Sequence, residues 1–186
     1  FEIRRITESE KTLIGATLGL GLLSQGVLIL AALGWLKAWA VSALLGAFWV
    51  VGFTEIRDVF VSLGANRSLL ADHPLLAAGS LACLALSFWF TWAPPNQYDA
   101  LVYHLPLAAA YAREGSLVAL DHLIYSYFPQ NAEMLYALAL TVGTDILAQM
   151  FTWLGTFLSI LWVFEMGKRE LPSAAALGAC LIVVTH

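Results

Sequence analysis

Charge is scarce in this chain. Only 12% of its 186 residues are Asp, Glu, Lys or Arg, about half the share usual in a soluble domain. Thirteen acidic side chains against nine basic ones leave a net charge of −4, so there is no basic field to hold nucleic acid. Cysteine is scarce too: Cys83 and Cys180 are too few for a disulfide-stapled secreted domain. Both lie in apolar runs, where a thiol serves as a small hydrophobe rather than a bridge or metal ligand. What remains is hydrocarbon. Sixty per cent of the residues are hydrophobic and the mean hydropathy is +0.79, which excludes disorder and predicts an all-α, polytopic integral membrane protein.

A helix needs about 20 apolar residues to cross the roughly 30 Å hydrocarbon core. Leu13–Leu33, Ala38–Phe53, Leu75–Ala93 and Ile146–Met166 read as spans, and Ala174–Thr185 opens a fifth. Asp72 is the expected N-cap of the third, with Pro74 in its first turn. Gly143-Thr144-Asp145 stops one helix and caps the next. The segment 132–142 covers only about 17 Å at 1.5 Å per residue, so a short or re-entrant helix is expected there. The chain opens at Phe1 rather than Met and stops at His186 within an apolar run, and is expected to be a piece of a longer protein.

Basic residues orient the spans. With the N-terminus cytoplasmic, Arg4, Arg5, Lys11, Arg57, Arg67, Lys168 and Arg169 fall inside and only Lys37 and Arg113 outside. This sends 94–131 to the outer face. Three regions follow: an N-terminal membrane region with three transmembrane helices (1–93), an external loop with an interfacial helix (94–131), and a short helix followed by transmembrane helices (132–186). Gly15-x-x-x-Gly19 and Ser42-x-x-x-Gly46 predict tight packing inside one bundle, with a dimer face as the alternative. Ser24 and Gln25 are the strongly polar side chains near the centre of the first span. No carboxylate, Lys or Arg lies mid-membrane in the first three spans, which argues against an ion path through them.

Chemistry is concentrated in the outer loop. It carries Asp99, His104, Arg113, Glu114, Asp121 and His122, with Tyr98, Tyr103, Tyr111, Tyr125 and Tyr127 among them. Leu101, Leu105, Ala108, Ala109 and Ala112 recur at helical spacing, so part of the loop is expected to lie along the membrane surface. The tyrosines suit an interfacial aromatic belt; interleaved with acids and histidines, they equally suit a sugar, which needs flat stacking faces and directional hydrogen bonds. Asp99, just past Pro95, reads as a rim carboxylate able to act as a general base or bind a divalent cation, or as a solvated N-cap acid. His104 is a ligand candidate or a turn residue before Pro106. Glu133 falls in the first turn of the short helix, where the helix dipole alone favours an acid. Asp121-His122 lacks a third metal ligand at a defined spacing. Arg113 ends the surface helix and is the one outer arginine, suited to a phosphate.

The stretches Tyr98-Asp99-Ala100-Leu101-Val102-Tyr103-His104-Leu105-Pro106 and Tyr125-Ser126-Tyr127-Phe128-Pro129-Gln130-Asn131-Ala132-Glu133-Met134-Leu135-Tyr136 resemble bacterial membrane glycosyltransferases of the GT-C superfamily. The nearest groups are those related to protein O-mannosyltransferases and lipid-A aminoarabinose transferases. The resemblance covers about Pro94 to Lys168. It implies transfer of a sugar from a polyprenyl-phosphate donor to a lipid, glycan or protein acceptor on the extracytoplasmic side of the membrane. The acid expected near the acceptor then falls on Asp99, as base or metal ligand. Tyr98, Tyr103, His104, Arg113, Pro129, Gln130 and Glu133 are the expected substrate-binding positions, and a divalent cation is the one cofactor to test for. Three features depart from the pattern: Asp99-Ala100 stands where many relatives carry two acids, Pro129-Gln130 where Pro-Pro is frequent, and two spans precede the one that ordinarily comes first. The alternatives are a transporter or lipid flippase that binds a glycolipid without chemistry, and a structural or assembly subunit.

Overall fold

The computed structural model describes residues 6–65 and 72–185, with side chains described outside 53–65. Arg4, Arg5 and Arg67, on which the orientation partly rests, lie outside the described residues, as does the Arg57 side chain. Among the described residues the chain is helical and has no strand. The helices are α1 (Glu8–Ala32), α2 (Ala38–Ala65), α3 (Pro74–Phe90), α4 (Leu105–Glu114), α5 (Asn131–Val142), α6 (Asp145–Glu170) and α7 (Ser173–Thr185). A π-helical turn, Ala100–His104, runs directly into α4, and a 3-10 turn, Ile124–Tyr127, precedes α5. By length and composition α1 and α6 can cross a membrane; α3, α7 and the Ala38–Gly52 part of α2 are shorter apolar helices.

The helix ends follow the sequence signals, with two exceptions. Gly115 closes α4 in the left-handed conformation (φ 72°), its N–H bonding the Tyr111 carbonyl. Thr144 receives the first bonds of α6, from Leu147 and Ala148, and the Asp145 carboxylate accepts from the Ile146 N–H. Asp72, however, is not the cap of α3. The first bond runs from the Ala77 N–H to the His73 carbonyl, and the His73 imidazole is engaged by the Ser173 hydroxyl at 2.7 Å. The second exception is α2, which continues past Phe53 to Ala65.

The chain forms two compact units, each gathered from separated stretches. One comprises Phe1–Leu18, Gly52–Phe90 and Trp153–His186. In it α3 packs on α7, and Trp153 donates to the Ser87 hydroxyl at 3.1 Å. Glu165, 6% exposed, accepts from Ser9 and Lys168, while Arg169 pairs with Glu10. Cys83 and Cys180 are free thiols, and Cys180 is buried as a small apolar side chain would be.

The other unit, Gly19–Val51 and Thr91–Thr152, carries the outer loop. Its core joins Leu23, Val27 and Ala31 of α1 with Leu36 and Val41, Leu107, Ala108 and Tyr111 of α4, and Met134, Ala137 and Leu138 of α5. Tyr111, counted among the loop tyrosines, is a core residue at 2% exposure. Backbone bonds from Leu36 to Gly115 and from Leu117 to Ala31 hold the end of α4 against the α1–α2 turn. Ser24 donates to the Asn131 carbonyl and Gln25 to the Asn131 side chain, each at 2.7 Å, so the polar residues of the first span serve to dock the start of α5. Among the described residues a Cβ added at Gly15, Gly19 or Gly46 would touch nothing within 4 Å, so these glycines do not pack tightly within the chain, whereas at Gly26 it would come within 3.1 Å of Leu44 and at Gly167 within 2.9 Å of Ala176.

Gly115→Ala should destabilise this second unit by about 1–2 kcal/mol, the usual cost of left-handed backbone for an L side chain. The added methyl would also meet the Lys37 side chain and lie 3.3 Å from the Leu36 carbonyl. Thermal unfolding of the detergent-solubilised variant against wild type measures this; an unchanged midpoint would show that Gly115 is not needed for its conformation.

Candidate functional site

Pro106 shapes the first part of the site. Proline offers no N–H and its ring crowds the carbonyl four residues earlier, here Val102. The helix that opens at the Leu101 N–H to Gln97 carbonyl bond therefore widens into a π turn, in which the Leu105 N–H reaches the Ala100 carbonyl. Such turns recur at functional positions. A bond between residues five apart brings such residues into axial register, as the α-helical bond does for residues four apart. Asp99 stands at the start of this turn, its charge felt by the Tyr103 phenol, and His104 ends it.

Asp99 is exposed, helical (φ −63°, ψ −38°), and makes no side-chain cap bond. Its carboxylate is therefore not used as an N-cap. His104 Nδ1 lies 2.7 Å from Glu133 Oε1, and Glu133 is 6% exposed. The acid in the first turn of α5 thus faces an imidazole across 29 residues, more than the helix dipole alone requires. The Tyr103 ring stacks on Tyr125 at 4.1 Å and 17°, and tilts against His104 at 4.1 Å. Tyr136 meets His104 edge-on at 6.0 Å, and its hydroxyl is 2.9 Å from that of Thr152. Burial, and after it the negative charge of Asp99, holds the Tyr103 phenol above the usual tyrosine range; Tyr125, Glu133 and Tyr136 add smaller contributions.

The 3-10 turn supplies the other wall. Ser126 Oγ donates to the Leu123 carbonyl at 2.8 Å, closing the turn, while Phe128 meets Tyr125 edge-on at 5.7 Å. Gln130 Nε2 donates to the carbonyls of Tyr125 (2.7 Å) and Phe128 (2.8 Å), which fixes the strap bearing Tyr125. Its Oε1 is buried and has no partner among the described residues. Pro129, exposed, separates the two.

The structure brings together Asp99, Tyr103, His104, Gln130 and Glu133. Tyr98 is on the same turn but points to solvent, 76% exposed. Arg113 does not join them: it sits in the last turn of α4, nine residues and about 14 Å of helix beyond His104, bonded to its own Ala109 carbonyl. Asp121 and His122 are exposed in a separate turn. Among the described residues no three His, Cys, Asp or Glu side chains form a group that could hold a metal ion. Tyr125 and Tyr136 belong to the cluster although neither was singled out for the site. For Tyr136 a local signal existed, since it follows Glu133 by three residues on one helix and so shares its face.

No family model matches the chain, and no solved structure does. It is similar to an uncharacterized protein of Shigella flexneri, 42% identical over 55 residues. The match spans 30% of this chain and 28% of that protein.

Proposed function

We propose that the protein is a polytopic membrane glycosyltransferase that transfers a sugar from a polyprenyl-phosphate donor to a lipid, glycan or protein acceptor on the extracytoplasmic face. The observation that carries this reading is the Tyr103–Tyr125 stack with the uncapped Asp99 carboxylate on the same turn. Stacked rings offer the flat apolar face on which a pyranose lies, and a carboxylate beside them can draw the proton from an acceptor hydroxyl. The resemblance to GT-C enzymes, carried by the residues around Asp99 and Pro129, supports the same chemistry.

Membrane insertion is supported by where the apolar side chains are. Only 22% of the most apolar window of α1 and 11% of that of α6 are buried within the fold, unlike the core helix of a soluble protein. Trp49, Val50 and Val51 in one unit and Leu75 and Trp89 in the other are likewise exposed, and large apolar side chains left uncovered suit lipid. The positive-inside count supports an outer location for Asp99.

Two measurements test the reading. Membranes containing the full-length protein are expected to transfer label from radiolabelled polyprenyl-phosphate hexoses to an endogenous acceptor. A cysteine at position 99, with Cys83 and Cys180 replaced by Ala, is expected to react with an impermeant maleimide from the outer side only. Reaction solely from the cytosol would sink the proposal, and donor binding without transfer would favour a flippase.

A further inference from the structure

We propose that His104 is a second proton-handling residue of this site and that Glu133 is the positioning residue that makes it one. The inference rests on the glycosyltransferase reading and extends it beyond Asp99. With Glu133 as a carboxylate, which only accepts hydrogen bonds, the 2.7 Å contact requires the ring hydrogen on Nδ1. The lone pair is then left on Nε2, at the opposite edge of the ring. The rings of Tyr103 and Tyr136 pack against the imidazole and fix its plane. A buried carboxylate that sets both tautomer and orientation of a histidine is the arrangement that gives a ring nitrogen a defined role in proton transfer. His104 closes the π turn that begins directly after Asp99, and Tyr103, which packs on the imidazole, senses the Asp99 charge.

The proton balance is simple. As the new bond forms between the acceptor oxygen and the sugar C1, the bond from C1 to the phosphate oxygen breaks, and its electron pair leaves with the polyprenyl phosphate. The acceptor proton passes to an Asp99 carboxylate oxygen and from there to His104 Nε2. The imidazolium, balanced by Glu133, returns it to water before the next turnover. Asp99 is exposed and its carboxylate makes no cap bond, so handing the proton on restores the base between turnovers.

The test compares Glu133→Gln and His104→Ala with wild type in the full-length protein, using radiolabelled polyprenyl-phosphate hexoses as donor. Glu133→Gln keeps the shape and an oxygen able to accept from Nδ1, but loses the charge; kcat is expected to fall about 10–100-fold, with KM within about twofold. His104→Ala is expected to lose about 100-fold or more in kcat and to regain part of it when imidazole is added, which a merely structural role would not allow. Wild-type kcat in Glu133→Gln, a loss confined to KM, or no response to imidazole would overturn the inference. Should His104→Ala fail to accumulate, kcat of Glu133→Gln decides alone. A wild-type protein that transfers no label overturns the underlying reading and this inference together, so the wild-type control separates the two failures.

Discussion

Asp99→Asn is expected to abolish sugar transfer while leaving protein level and donor binding nearly unchanged. Loss of a general base typically costs 10²–10⁴-fold in rate, larger than any other single effect expected in this site. The structure makes the experiment clean. The Asp99 side chain is exposed and caps nothing, so an isosteric amide there should alter stability by no more than about 0.5 kcal/mol. A second readout comes from Tyr103. The Asp99 charge adds to burial in holding that phenol above its usual range, so the variant should release the Tyr103 proton at lower pH than wild type in an ultraviolet titration. Normal turnover by Asp99→Asn would remove this residue from the mechanism. An unmoved Tyr103 titration would show that the two groups do not interact as described.

The largest loss of stability is expected from Tyr111→Ala. Tyr111 is among the largest fully buried side chains and lies where α1, α4 and α5 converge. Emptying such a position costs about 3–5 kcal/mol, because neighbours relax only partly into the cavity. Tyr111→Phe should keep the packing and isolate the phenol. Burial, with a smaller contribution from the Glu133 charge, raises the pKa of Tyr111 above the tyrosine norm. The folded state therefore holds this proton more tightly than the unfolded state. The stability it contributes is complete below about pH 10 and is lost as pH rises through the higher folded value. Thermal midpoints between pH 8 and 12 should fall less steeply in Tyr111→Phe than in wild type; parallel curves would show that this phenol is not responsible.

Helices and their ends were legible in the sequence because they are local. Gly115 and Thr144 act within one turn of the residues they terminate. The surface helix was visible in the spacing of Leu105, Ala108 and Ala112, since a stripe at that period needs a partner. Its π turn was not. It arises from Pro106 acting inside a helix that continues on both sides, whereas proline is ordinarily read as a boundary. The His104–Glu133 pair was equally invisible, because periodicity reports which face a residue occupies and not which distant face it meets. Gly-x-x-x-Gly shows only that backbones can approach; within the chain, helix glycines make tight contacts at Gly26 on Leu44 and Gly167 on Ala176. Arg113 was placed in the site by chemistry alone, without regard to the length of α4.

The docking of Asn131 by Ser24 and Gln25 has a consequence for how the site can change. Glu133 stands two residues beyond that clasp, so its position is inherited from α1 and not from the connection that leads to it. Insertions or deletions between Gly115 and Phe128 would re-aim the tyrosine stack and leave the carboxylate fixed. Under the proposed function, preference for one sugar over another could diversify in this stretch while the His104–Glu133 pair keeps its place.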